Sequence, residues 1–314
     1  VTANDTLAVV PDLANIYDEP FADSSQIPTL LLSRFARKSV KVVLSGDGGD
    51  ELFAGYNRHL LAASYLPRLE QQPLWLRRLG ANVLNNLPPA FLDRLGSLAG
   101  IRQAGEKSRK LSAILPLAED FGATYDCLTC QGLGSGETLL ADPDDSFYRA
   151  ADPSSPDFDF LDQMLLRDTK TYLPGDILVK LDRASMSVGL EARVPLLDHR
   201  LYELAWTLPN SLKAAGGAGK IALRRILGRH LPSSLFDGKP KMGFAVPLDT
   251  WLTGPLRTWA EDLLAPESLK RNGFLDAKRC LQMWQDHKSG RCKRHHTLWN
   301  LLMLLSWLVG RRGA

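Results

Sequence analysis

Val40-Lys41-Val42-Val43-Leu44 runs without a break into Ser45-Gly46-Asp47-Gly48-Gly49-Asp50-Glu51. The first five residues are β-branched and largely apolar, which predicts a strand buried on both faces of a parallel sheet. Gly46, Gly48 and Gly49 around Asp47 let the backbone turn tightly and approach a ligand closely. Successive N–H groups in such a turn can form an anion nest. Yet Asp47, Asp50 and Glu51 would repel a phosphate, and a Mg²⁺ held by one or two carboxylates and the phosphates themselves resolves that conflict. The plainer reading is a strand-to-helix turn with Asp50 as a cap. Leu52 to Leu66 returns to helical spacing. In open α/β sheets ligands sit outside the carboxyl ends of the strands, which is where this turn falls.

Outward from the turn, strand signals are nearly absent and the chain is predicted to be mostly α. Helices are expected over residues 7–16 and 27–37, with Pro28 tolerable in a first turn and a polar loop, Tyr17 to Ser25, between them. Further helices are expected over 74–84, 91–99, 160–173, 176–188, 200–208 and 220–231, and again from Trp251 onward. Pro174-Gly175 is read as a break between two of them. Gly132 to Ser155 is read as a long loop, Glu191 to Asp198 as a connector, Gly216 to Gly219 as a turn and Asp237 to Phe244 as a basic loop.

Composition bounds the function. A chain of 314 residues, 45% hydrophobic and 23% charged, buries roughly three quarters of its unfolded surface and needs no staples. A net charge of +3, from 38 basic and 35 acidic residues, argues against a dedicated nucleic-acid binder. Four cysteines are too few for a disulfide scaffold, so a cytoplasmic setting is expected. The longest apolar stretch, Leu298 to Val309, is interrupted by Asn300 and Ser306 and falls short of the about 20 residues a bilayer needs; no membrane partner is expected. The first residues carry no secretory leader pattern, and Val1 in place of Met reads as a piece of a longer or processed chain.

Other clusters stay open on the residues alone. Lys180, Asp182, Arg183, Glu191 and Arg193 form either a substrate-side wall or a salt-bridge network tying helices together. Asp18, Asp23 and Ser24 either line the same cleft or cap local turns. Gly219-Lys220 is not a P-loop, because Ala214 and Ile221 stand where Gly and Ser or Thr are required. Cys127 and Cys130, with Cys280, Cys292, His295 and His296 far downstream, lack paired zinc spacing and read as buried or incidental thiols. Lys288 to His296 reads as a solvated basic loop, and the tryptophans from Trp251 onward as core.

The string Ser45 to Tyr56, Ser-Gly-Asp-Gly-Gly-Asp-Glu-Leu-Phe-Ala-Gly-Tyr, resembles the signature loop of the synthetase domain of glutamine-dependent asparagine synthetases. Colinear blocks agree: Tyr17 to Ser25, Asp176 to Met186, Leu190 to Asp198, Gly219-Lys220 with Leu223-Arg224, and Lys239 to Phe244. The resemblance spans about residues 10–260. It implies an α/β fold of the PP-loop ATPase type with a partial parallel sheet, in a chain that is predominantly α-helical. It also implies a reaction in which ATP adenylates the side-chain carboxyl of L-aspartate, and ammonia from glutamine then attacks β-aspartyl-AMP. The expected partners are therefore small molecules, and a homodimer stays open. An alternative is a related carboxylate-amidating enzyme with another acceptor; a second is a non-catalytic helical interaction module.

The resemblance implies residue roles. Asp47 orients ammonia or takes its proton, and Lys220 steadies charge on the phosphates. Ser45, Gly46, Gly48 and Gly49 face the nucleotide, and Asp50 helps hold Mg²⁺. Asp182, Arg183, Glu191 and Arg193 bind substrate. Residues 1–66 are expected to complete the nucleotide-binding core, 67–160 to be a helical insertion, and 161–314 the helical remainder. The family's glutaminase domain, with its N-terminal Cys, and its Ser-Gly-Gly-x-Asp-Ser loop are not in this sequence, so the chain alone is expected to be inactive.

Overall fold

The acidic turn is held at the end of a strand pair. In the computed structural model, which describes residues 3–98, 104–129, 158–236 and 246–312, β1 (Val42–Leu44) runs parallel to β2 (Glu191–Arg193). Val42 lies opposite Glu191 and Leu44 opposite Arg193. The ladder continues at both ends: the Glu191 amide donates to the Lys41 carbonyl (2.9 Å) and the Ser45 amide to the Arg193 carbonyl (2.8 Å). Glu-Ala-Arg has no strand pattern of its own. It becomes β2, inside the predicted connector, because a partner's backbone groups are presented to it.

β1 departs from expectation too. Val42 and Leu44 are 43% and 75% exposed, so the strand is not buried on both faces. Among the described residues it has one strand neighbour, β2, and apolar character alone supplies no second cover. The other sheet is a small hairpin, β3 (Ala214–Ala215) against β4 (Ala218–Gly219). Gly216 and Gly217, both at positive φ (60° and 77°), make the tight turn that favours glycine at both central positions.

Everything else described is helix, turn or loop. Helix Gln26–Arg37 carries Pro28 in its first turn, where the missing N–H has no helical partner to lose. Val9, Leu13, Ile27 and Leu30 share one core with Leu252, Trp284, Trp299, Leu301 and Leu302, so the two ends of the chain are packed together. The apolar stretch from Leu298 lies within helix His295–Arg312 and packs in that core. Among the described residues no helix is long and apolar enough to cross a membrane. A second core joins Ala54, Ala62, Leu66, Ile114 and Tyr125 to Phe160, Met164 and Leu165.

The predicted break at Pro174-Gly175 does not occur. Asp168–Ile177 is wound as a π-helix with Pro174 inside it, and the chain passes directly into helix Leu178–Met186. The Leu178 amide donates to the Leu173 carbonyl, five residues back. The wider winding accommodates a proline that an α-helix interior would reject. The predicted loops Gly132 to Ser155 and Asp237 to Phe244, and Cys130, lie outside the described residues.

The glycine turn is specified sterically. Gly48 has φ +81°, and a Cβ there would stand 2.4 Å from Leu197 Cδ2. Gly48→Ala is therefore expected to cost about 1–3 kcal/mol, from left-handed strain plus displacement of Leu197. Urea denaturation of the two proteins checks this, with an unchanged midpoint as the contrary result.

Candidate active site

The turn that leaves β1 is pinned from two sides. Ser45 Oγ donates to Asp47 Oδ2 (2.5 Å). Leu196 and Leu197, just past β2, press on Gly49 and Gly48. Helix Gly49–Leu52 starts after Gly48, so Asp50 and Glu51 fall in its first turn; Asp50 is one residue inside the helix rather than its cap. Gly46 has open space around its Cα. The ends of both parallel strands thus converge on one acidic, glycine-rich corner.

Lys220 is delivered to this corner by an unusual backbone contact. Its φ is +58°, and that of Ala54 is +56°, a conformation that costs a non-glycine residue of order 1 kcal/mol or more. The Lys220 amide donates to the Phe53 carbonyl (2.8 Å). A Cβ on Gly219 would stand 2.1 Å from the Ala54 carbonyl oxygen. Arg224 Nε also donates to the Gly219 carbonyl (3.1 Å). The result places Lys220 Nζ 3.1 Å from Asp50 Oδ1. Gly55 completes the fit: a Cβ there would overlap Asp50 Oδ1 at 1.8 Å and Lys220 Cε at 2.4 Å. Carboxylate and ammonium share a space that exists because residue 55 has no side chain.

Behind this corner lies a buried polar network. Asp168 is fully buried. Its carboxylate accepts from Arg58 Nε (3.1 Å), from His59 Nε2 (2.5 Å) and from the Tyr125 hydroxyl. Burial opposes the charge on Asp168, but the bond from His59 and the charge of Arg58 hold it below the usual carboxylate range. Burial pushes His59 down despite its bond to Asp168; facing an ionised carboxylate, which can only accept, its Nε2 is the donor. The Arg58 guanidinium lies 4.2 Å from the Tyr56 ring centroid and 4.8 Å from that of Tyr172, in the corner formed by two rings set edge to face with centroids 5.6 Å apart, a cation–π arrangement strengthened by desolvation. The Tyr56 hydroxyl donates to Glu51 Oε1 (2.6 Å).

Tyr172 leads to a second charged group. Lys180 Nζ lies 2.7 Å from Asp23 Oδ2 and 4.0 Å from Asp176 Oδ1. Asp23 also takes the Ser25 amide and hydroxyl (2.9 and 2.7 Å). Against burial, the Lys180 charge keeps Asp23 ionised and below its ordinary range. Burial, then the charge of Asp23, pushes Asp176 up to about 7. The pair therefore carries one firm negative charge and one proton that is exchangeable near neutrality.

The predicted residues divide clearly. The structure brings Lys220 and Asp50 into contact and sets Asp47 and Ser45 together on the same turn. Glu191 and Arg193 lie across the ladder from β1 but are exposed and paired with each other (2.7 Å). Arg183 is exposed and bridges Asp182 (2.8 Å) and Asp18 (2.7 Å). Such surface pairs hold little energy, and among the described residues their ion pairs do not reach Lys220. Arg58, Asp168, Tyr172 and Asp176 were not anticipated. Asp176 opens the colinear block Asp176 to Met186 and lies four residues before Lys180, but neither signal assigns it a role; Asp168 reads as any polar residue in an amphipathic helix. Among the described residues no group of three or more His, Cys, Asp or Glu is arranged to hold a metal. Cys280 is buried, and burial pushes its thiol up to about 11.

Asp176 gives a pH test. Its folded pKa lies above the ordinary 3.8, so between about pH 4 and 7 the unfolded chain holds fewer protons and stability falls as pH rises. Asp176→Asn removes that penalty. It is expected to raise stability by about 1–2 kcal/mol near pH 8 and to change it little near pH 5, after allowance for solvent screening. Thermal melts at both pH values check this; a gain of equal size at each would contradict it.

Comparison with known proteins agrees with this geometry. Residues 1–309 match the family described as Asparagine synthase. A putative glutamine-hydrolysing asparagine synthetase of Mycobacterium tuberculosis H37Rv is 33% identical over 98% of this chain and 45% of its own length. Asparagine synthetase 1 of Bacillus subtilis is 26% identical over 95% of this chain and 45% of its own. Amidase chyE of Penicillium rubens is 23% identical over 82% of this chain and 40% of its own. The chain thus spans less than half the length of these relatives. On the match across nearly every residue, together with the paired Lys220 and Asp50 on the strand-end turn, the chain belongs to the asparagine synthase family.

Proposed function

We infer that the chain is the synthetase part of an ATP-dependent carbon–nitrogen ligase that converts L-aspartate to L-asparagine through β-aspartyl-AMP, with ammonia drawn from glutamine. The observation that carries this is the contact of Lys220 with Asp50 at the carboxyl end of β1. A phosphate-binding corner needs a cation for the leaving oxygens and a carboxylate for their metal, and it needs them adjacent. The fold on this reading is of the PP-loop type, with 1–66 forming part of the nucleotide core, 67–160 a helical insertion and 161–314 the remainder. The setting is cytoplasmic, without nucleic-acid or membrane partners.

The residues fit Mg²⁺ in a restricted sense. Asp50 is a quarter exposed and offers a carboxylate beside Lys220. Mg²⁺ takes one or two carboxylates, waters and phosphate oxygens, so Asp50 with Mg²⁺-ATP meets that requirement. When bound, the ion neutralises charge on the phosphates. Lys220 then adds a fixed positive charge where the pyrophosphate leaves, the kind of preorganised term that dominates catalysis. Ser45, Gly46, Gly48 and Gly49 let the nucleotide approach the backbone. Asp47, oriented by Ser45, takes the proton of the attacking ammonia. Asp182, Arg183, Glu191 and Arg193 are kept as substrate contacts, reached by side-chain movement from the surface.

A second reading is a carboxylate-amidating enzyme with another acceptor. It is favoured by the likeness to a protein named an amidase and by the Asp23–Lys180–Asp176 group, whose mixed charge suits more than one acceptor acid. The deciding measurement is pyrophosphate release from ATP by the natural gene product, with aspartate and with other carboxylic acids, with and without glutamine. Aspartate-dependent release supports the first reading, release with a different acid the second, and no release with any acid overturns both. Asp47→Asn is expected to lower amide formation about 10²-fold, and Lys220→Ala to slow pyrophosphate release by about 10²–10³-fold. Turnover within about twofold of the parent would remove the residue from its role.

A further inference from the structure

The geometry points to Asp168 as a positioning residue, which fixes the Asp50–Lys220 pair through a relay of Arg58, Tyr56 and Glu51. This rests on the proposed ligase reading for its catalytic consequence, although its structural part stands apart from that reading.

A fully buried carboxylate is costly, and replacing such a network with apolar groups often stabilises a protein. Its retention here calls for a task besides stability. Asp168 heads the π-helix Asp168–Ile177 and carries Tyr172 four residues on. Together they fix Arg58, the carboxylate by ion pair (2.9 Å to Nη2) and the ring by a cation–π contact. Arg58 also lies against the Tyr56 ring, which meets Tyr172 edge to face. Tyr56 in turn holds Glu51 by its hydroxyl. Glu51 is 1% exposed, and its Oε2 has no hydrogen-bond partner, so Tyr56 is what orients this side chain. Glu51 adjoins Asp50 in the short helix Gly49–Leu52. A four-residue helix has little rigidity of its own, and its orientation is borrowed from what it is tied to.

Every link is therefore a directional contact, and the relay begins in the core that includes Tyr125 and ends at the carboxylate facing Lys220. Tyr125 and His59 complete the shell of Asp168, and Arg58 pairs with its charge. The ion pair is buried on its Asp168 side, while Lys220 and Asp50 stay partly exposed.

The experiment compares Asp168→Asn and Tyr56→Phe with the parent protein. Tyr56→Phe keeps the ring on Arg58 and removes the bond to Glu51. The structural readout is NMR of the Lys220 side chain and of the Gly49 and Asp50 amides. Both variants are expected to shift these resonances, and Ser112→Ala, which removes a distant bond to Asn85, to leave them in place. The catalytic readout is pyrophosphate release, with kcat down about tenfold and KM for the acid little changed in the first two variants, since the pair acts on the transition state. Unmoved resonances in Tyr56→Phe overturn the relay, even if Asp168→Asn fails to fold. Shifted resonances in a parent protein that releases no pyrophosphate keep the relay and sink the ligase reading instead.

Discussion

A single backbone hydrogen bond, from the Lys220 amide to the Phe53 carbonyl, joins two segments that lie far apart in the chain. The site depends on it. Ala54 and Lys220 both adopt left-handed backbone to make it, and Gly55 and Gly219 remove the side chains that would prevent it. Strain of this kind persists where the surrounding structure over-determines it. Here the surroundings are the hairpin of β3 and β4 on one side and the pinned glycine turn on the other. What the strain secures is an ammonium held against a carboxylate at the end of a strand.

Around that contact the molecule separates rigid support from exposed chemistry. Asp168, His59 and Tyr125 are buried and mutually bonded, whereas Asp50 and Lys220 are each about a quarter to a third exposed. A charge pair between core and solvent keeps enough of its Coulomb strength to matter and enough access to meet a ligand. The Asp23–Lys180–Asp176 group is built on the same plan. Lys180 holds one carboxylate as an anion, and burial with that neighbouring charge pushes the other up to about 7.

How far the sequence could be read follows from where each signal is local. The turn Gly46 to Asp50 was legible because tight turns and close approach demand glycine, and helix Gln26–Arg37 because Pro28 fits only a first turn. Lys220 was legible only through resemblance, since a lysine after a glycine-rich turn has no periodicity to mark it. Asp168 and Arg58 carry no local signature, because their burial is decided by helices that meet only in three dimensions. β2 was missed for the same reason: Glu-Ala-Arg becomes a strand by pairing with β1. Pro174 misled because the π-winding that tolerates it depends on the packing of its neighbours.

The sequence by itself determined the glycine turn, the largely helical character and the membership of the asparagine synthase family, since steric permission, periodicity and a colinear motif set are all properties of neighbouring residues. Tertiary structure alone decided that Lys220 meets Asp50, that Asp168 anchors Arg58, and that Asp176 holds its proton to near neutrality. Those facts rest on which groups exclude water from one another, and that is settled only when distant segments pack.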